Sequence, residues 1–324
     1  MTRKWIGIDG GGTKTTCVIG DENGILFAHA AGDSGNIQSH SPERVKETLC
    51  RLIEEVLVKA GSRREQLAVI YLALAGADRR EDKQRIDAFL NPYKRSFVDI
   101  VIENDAKAAL AAGSWGEPGL VLIAGTGSIA YGFSSEKAVR VGGWGYLLGD
   151  EGSGYDIGRQ ALSAVLKQLD GRGPKTSLTE FVLEAFAVSE PEQLIPLVYG
   201  SPYVKNTIAN LSALVFRAAK TGDAQAQAIV EAAVAELLEL VRTAYCGMPA
   251  VGTNLVLSGG LFSNAFFKQA FVEKAGVTFG DLKVVDPAVS PAVGAYVLAL
   301  RHSGMAITES LKKEIRQSWS LLQG

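Results

Sequence analysis

A chain of 324 residues exceeds the roughly 250–300 residues over which one hydrophobic core keeps growing, so two domains are expected. A formal net charge of -2, with 47% hydrophobic and 21% charged residues, excludes a disordered or collagen-like chain and gives no reason for a polyanionic partner. Cys17, Cys50 and Cys246 are scattered and form no CxxC pair, so neither a disulfide framework nor a zinc or iron–sulfur site is expected.

The chain opens on a strand-like run, Lys4-Trp5-Ile6-Gly7-Ile8, without the order of a signal peptide. Two further strands, TTCVIGD and ILFAHA, follow as an antiparallel meander, with Asp21-Glu22-Asn23-Gly24 as turn. Ser41 and Pro42 cap and start an amphipathic helix that Gly61 ends. A strand at 67–74, a helix around 81–90, a strand at 97–102 and an Ala-rich helix from about 105 to 112 come next. Strands first and then alternation predict a mixed sheet. A Gly/Pro break at 113–119 precedes a second pair of apolar strands around Gly125-Thr126-Gly127-Ser128, so the second half opens as the first did. The domains are therefore set at 1–116 and 117–324, with the final helices as candidates to pack back on the first. Residues 152–246 read as mostly helical, NLVLSGG, a helix from Ser263, KVV and a helix near 290–301 alternate after them, and Ser310–Leu322 reads as a surface helix. No apolar stretch reaches the roughly 20 residues needed to cross a bilayer, and Arg63-Arg64 and Arg79-Arg80 are short solvated clusters. A cytoplasmic protein with no nucleic-acid and no membrane partner is expected, with a homodimer left open.

Asp9-Gly10-Gly11-Gly12-Thr13-Lys14-Thr15 lies between two strands. Its glycines let backbone approach a ligand while successive N–H groups face anionic oxygens. The spacing is neither that of a Walker A loop nor GxGxxG, because Thr15 stands where the third glycine belongs. Two such turns facing each other could grip the phosphates of ATP, through Gly11, Gly12, Thr13 and Lys14 on one side and Gly125, Thr126 and Gly127 on the other. Asp9 could hold Mg2+. Ser258-Gly259-Gly260-Leu261-Phe262 is a third open backbone surface, where an adenine could lie against Gly259 and Gly260.

DGGGTKT, ENDAKAAL, AGTGS, GGWGYLLGDEGS, LSGGLF and SPAVGA stand in the order found in the actin-like sugar-kinase superfamily. The chain resembles its BadF/BadG-type ATPases, which include N-acetylglucosamine kinases, from about residue 5 to 300. The resemblance implies an α/β fold of two ribonuclease-H-like (actin-like ATPase) domains with an interdomain cleft. It also implies an ATP-dependent kinase of an amino sugar, N-acetylglucosamine first, with glucosamine or N-acetylmuramic acid as alternatives.

Asp105 ends an apolar strand and opens a helix, where a carboxylate either caps the helix or faces a crevice. The resemblance implies the second role, general base toward a sugar hydroxyl. By the same resemblance Asn36, Asp105, Gly143, Trp144 and Asp150 contact the sugar. Read alone, Asn36 is turn chemistry, and Asp150 and Glu151 are acidic residues near a helix start. An activator of a radical dehydratase would need a cysteine-held cluster that these three cysteines do not offer. A sugar-responsive repressor would need a helix-turn-helix, for which Met1 to Lys4 leaves no room.

Overall fold

The structure, a computed structural model, describes residues 2–38, 40–134, 137–248 and 252–323. The chain divides into two compact units, one built from the stretch up to Pro118 together with that from Val285 onward, the other from Gly119–Val284.

The first unit begins with β1 (Lys4–Gly10), β2 (Thr15–Gly20), β3 (Leu26–Gly32), α1 (Pro42–Lys59), β4 (Leu67–Leu74), α2 (Arg80–Phe89), β5 (Asp99–Glu103) and α3 (Asp105–Ser114). Its sheet has the order β3-β2-β1-β4-β5. The meander is antiparallel, while β4 and β5 run parallel to β1. Alternation along β1 divides the core: Ile6 and Ile8 pack with Val45, Leu49 and Leu52 of α1, and Trp5 faces the other way. All eight residues of β4 are buried, as a central parallel strand covered on both faces requires. Ser41 caps α1 by accepting from the Arg44 amide, with Pro42 at the first helical position.

The second unit contains β6 (Gly119–Ala124), β7 (Ser128–Phe133), β8 (Ala138–Gly142), α4 (Gly154–Leu169), α5 (Leu178–Phe186), α6 (Leu194–Tyr199), α7 (Val204–Ala209), α8 (Ser212–Lys220), α9 (Ala224–Cys246), β9 (Asn254–Ser258), α10 (Ala265–Thr278) and β10 (Lys283–Val285). Its sheet order is β10-β9-β6-β7-β8, with β6–β7 and β7–β8 antiparallel and β6–β9 parallel. Two strand meanders, each followed by a parallel crossover strand, thus give the two sheets one plan. The helix expected from Ser263 starts at Ala265, because Asn264 caps it by accepting from the Phe267 amide at 3.2 Å.

α11 (Pro291–His302) and α12 (Glu309–Gln323) belong to the first unit. α11 lies on β1 and α3 through small residues: a Cβ on Gly7 would overlap the backbone of Ala292 and Tyr296, and one on Gly294 the Ala108 carbonyl. Tyr296 is fully buried, and its hydroxyl donates to the Asp21 carbonyl at 2.5 Å. α12 is not the plain surface helix that its charges suggest. Ile315 is fully buried, and Ser318 Oγ donates to the Gly24 carbonyl at 3.0 Å while accepting from the Leu26 amide at 3.1 Å. Among the described residues no helix is long and apolar enough to cross a membrane.

Candidate active site

In the first unit the carboxyl ends of β1, β4 and β5 coincide. Asp9 lies opposite Ala73, and Ala73 opposite Glu103. The carboxyl edge of parallel strands is where α/β folds hold ligands. The hairpin after Asp9 is closed by the Gly11 amide donating to the Lys14 carbonyl at 2.9 Å. Packing explains only one of its three glycines, since a Cβ on Gly10 would overlap the Leu74 side chain. A Cβ on Gly11 would meet only the Lys14 carbonyl oxygen, at 3.7 Å, and one on Gly12 nothing within 4 Å. Neither has a positive φ, so their bareness serves no need of this unit's own fold. Thr13 and Lys14 are exposed beside them.

Asn104, not Asp105, caps α3: its Oδ1 accepts from the Ala106 amide at 2.9 Å. The capping position open to Asp105 in the sequence thus goes to its neighbour, and Asp105 is the first helical residue. Burial pushes it up to about 6, the Asp78 charge adds to the rise, and the amides of Ala106 and Asp105 oppose it. Burial pushes Asp9 further, to about 7, with the Asp105 charge adding and Lys14 opposing. The two carboxyls are coupled through the charge of Asp105, so their titration belongs to the pair rather than to either residue. Asp78, in the turn after β4, had no signal of its own in the sequence.

Mg2+ is ordinarily held by one or two carboxylates with phosphate oxygens and water completing the shell. Asp9, with its hard oxygens beside a bare turn, fits that requirement. Among the described residues no group of three or more His, Cys, Asp or Glu could form an all-protein cage.

The loop carrying Asn36 is fastened to this hairpin. Thr15 Oγ1 donates to the Asp33 carbonyl at 2.7 Å, and Ser34 Oγ to the Gly11 carbonyl at 3.0 Å. Asn36 Oδ1 accepts from the Gln38 amide at 2.8 Å. The turn after β4 lies directly against it: a Cβ on Gly76, whose φ is 79°, would stand 2.8 Å from Asn36 Oδ1.

In the second unit the Gly125 amide donates to the Gly127 carbonyl at 2.9 Å. The carbonyls of Gly125 and Thr126 accept from the amides of Gly154 and Tyr155, at 2.7 and 3.3 Å, pinning the turn to the start of α4. A Cβ on Gly127 would lie 2.7 Å from Asp150 Oδ2, so this glycine admits a carboxylate beside the turn. Asp150 is only 4% exposed and left-handed at φ 61°, a conformation that costs a non-glycine residue about 1–2 kcal/mol. Lys205 Nζ lies 3.5 Å from its Oδ2. The helix-start reading of Asp150 and Glu151 gives way, because Ser153 caps α4 and Asp156 is its first-turn acid. Gly143 is tied by φ 69° and by the Ile129 side chain, which a Cβ would overlap. Trp144 is 64% exposed, with the Arg140 guanidinium 4.6 Å from its ring centre.

Gly259 and Gly260 divide in the same way as the first turn. Gly259, at φ 98°, packs on the Ala124 backbone, whereas a Cβ on Gly260 would meet nothing within 4 Å. Phe262 is buried in the core and is no part of an open surface. The opening near Gly260 is instead a cavity of about 340 Å³ lined by Gly125, Thr126, Asn210, Phe216, Gly260 and Asn264, a size and mixture of apolar and amide groups that suit a nucleoside. Asn210, Phe216 and Asn264 could not be singled out in the sequence, since three separate helical segments bring them together.

Residues 6–299 match the BadF/BadG/BcrA/BcrD ATPase family. The chain is 36% identical over 298 residues to an N-acetylmuramic acid/N-acetylglucosamine kinase of Clostridium acetobutylicum, covering 91% of this chain and 97% of that one. It is 33% identical over 314 residues to an N-acetyl-D-glucosamine kinase of Dictyostelium discoideum, again covering 91% and 97%. Among solved structures, a candidate N-acetylglucosamine kinase from Chromobacterium violaceum superposes with a TM-score of 0.73 at 26% identity, covering 92% of this chain and 99% of that chain.

Proposed function

This chain belongs to the BadF/BadG/BcrA/BcrD ATPase family, and from that membership we propose that it phosphorylates an amino sugar with ATP, converting N-acetylglucosamine to its 6-phosphate. The observation that carries the phosphotransfer reading is the pair of raised carboxyls, Asp9 and Asp105, at the strand ends beside a glycine turn bare without a packing reason. The sugar reading is supported by the two kinase relatives, each matched over nearly its whole length. The Clostridium relative's name also favours N-acetylmuramic acid as a second acceptor.

In this reading Asp105 accepts the proton of the sugar 6-hydroxyl as that oxygen bonds to the γ-phosphorus and the bond from that phosphorus to the ADP oxygen breaks. Asp9 holds Mg2+, which when bound supplies positive charge to the phosphate oxygens. The phosphate oxygens lie against the Gly11–Lys14 and Gly125–Gly127 turns and are received by their amides other than those of Gly11 and Gly125, which close the two turns. Gly260 and the cavity beside it receive the nucleoside, and Gly259 sets the chain direction there. Asn36 and Asp150 bind sugar hydroxyls, with Gly143 and Trp144 shaping the sugar loop. We place the reaction in the cytoplasm, in keeping with three free cysteines.

The test is ADP release with Asp105→Asn against wild type, on glucose, glucosamine, N-acetylglucosamine and N-acetylmuramic acid. Loss of a general base costs about 100-fold or more in turnover, and N-acetylglucosamine should show the highest kcat/KM. Full sugar-dependent turnover in the variant would remove Asp105 from this role.

A further inference from the structure

The Asn36 loop is also held from its other end, by a side chain bonded to α2 and to the turn after β4. Gln38 Nε2 donates to Asp82 Oδ2 at 2.8 Å and to the Gly76 carbonyl at 3.4 Å, using both hydrogens of the amide. Asp82 stands in the first turn of α2 and is 7% exposed. Gly76 closes the arrangement, since a Cβ there would stand 2.7 Å from Gln38 Cγ as well as 2.8 Å from Asn36 Oδ1. Gln38 itself is an exposed residue, and fixing its long side chain costs conformational entropy. The buried Asp82 carboxylate gains a donor in return.

The loop from Ser34 to Gln38 is therefore a span with two anchorages. At one end Ser34 Oγ grips the Gly11 carbonyl of the phosphate-type turn, and at the other Gln38 grips α2 and the turn after β4. Asn36 lies between them, its Oδ1 taken by the Gln38 amide. We propose that Gln38 and Asp82 form a latch that presents Asn36 to the sugar, which makes both of them positioning residues for acceptor recognition. This rests on the sugar-kinase reading above. A span fixed before the sugar arrives spares the binding step the cost of ordering it. Loosening the Gln38 end charges that cost mainly to the sugar, because the Ser34 anchorage on the Gly11 turn stays in place.

The experiment is steady-state kinetics with N-acetylglucosamine and ATP varied separately, on wild type, Gln38→Ala, Gln38→Glu and the double variant Gln38→Glu/Asp82→Asn. Gln38→Ala should raise the sugar KM about 3- to 10-fold, the worth of one hydrogen bond, and leave the ATP KM within about 2-fold. Gln38→Glu sets two carboxylates against each other and should do more harm than alanine. The double variant restores the bond between residues 38 and 82 with donor and acceptor exchanged, though not the longer one to the Gly76 carbonyl, so its sugar KM should fall at least about 3-fold below that of Gln38→Glu. A latch that merely stabilised the fold would lower the thermal midpoint and shift neither KM selectively. Equal changes in both KM values, or a double variant no better than Gln38→Glu, overturn the latch alone. A wild-type protein that phosphorylates none of the four sugars overturns the kinase reading and the latch's role with it.

Discussion

A carboxyl that burial holds at about 6 is charged at neutral pH at some expense to stability. Its ordinary value is 3.8, so between about pH 4 and 6 the folded chain keeps a proton that the unfolded chain has lost. Stability from Asp105 therefore falls as pH rises through that window and stays lowered above it. Activity has the opposite slope, because a base must be unprotonated: kcat/KM should climb as pH rises through about 6. Asp105→Asn removes the charge while keeping the shape. It should lose turnover and gain about 1–2 kcal/mol of stability at pH 8, a figure already reduced for the screening of a partly exposed group. The gain should vanish near pH 4. Thermal unfolding of both proteins at the two pH values measures it, and a variant no more stable than wild type at pH 8 would show that Asp105 carries no such burden. The position of Asp105 was legible in the sequence, at the join of an apolar run and an Ala-rich helix. That Asn104 takes over the capping was not, since two adjacent polar residues are equally eligible until the backbone fixes which side chain meets the Ala106 amide.

At the scale of elements, the glycines separate into those that the fold needs and those that it does not. Gly294 lets α11 touch α3, where a methyl group would strike the Ala108 carbonyl. Gly294→Ala should cost about 1–3 kcal/mol by overpacking. Gly12→Ala adds its methyl to open space at an ordinary φ, so stability should hold within about 0.5 kcal/mol. The ATP KM of Gly12→Ala should nonetheless rise, because the methyl occupies the face assigned to phosphate. Melting curves beside ATP titrations check both variants. A Gly12→Ala protein with unchanged ATP KM would strip the turn of its assignment. Sequence could flag Gly10, Gly11 and Gly12 as a group, because a run of three glycines between strands is rare chemistry for a hairpin. It could not divide them, since Leu74, the neighbour that makes Gly10 necessary, comes from a strand far along the chain. The same limit hid Gln38 and Asp82, which are polar residues of ordinary surface type until folding brings them to 2.8 Å.

Across the whole molecule, the path of the C-terminus matters most. In the sequence the final helices are candidates to pack back on the first domain, but no local signal fixes where the chain leaves the second unit, because SPAVGA continues the strand–helix alternation that precedes it. The small residues Ala292, Gly294 and Ala295 do fit the Ala-rich α3 and bare Gly7, but that match is visible only once the segments are adjacent. α12 then closes the β2–β3 hairpin through Ile315 and Ser318, two positions among many charged ones, which is why its pattern read as surface. Removing residues 304–324 would uncover that hairpin and leave the core of the second unit intact. Burial of one isoleucine is worth about 1.5–3 kcal/mol, so amide exchange in β2 and β3 should accelerate about 10- to 100-fold in the shortened chain. Exchange in α9, whose contacts lie in the other core, should keep its native rate. Equal acceleration in both regions would mean that the two units unfold as one and that the C-terminal helix supports the whole chain rather than the unit on which it packs.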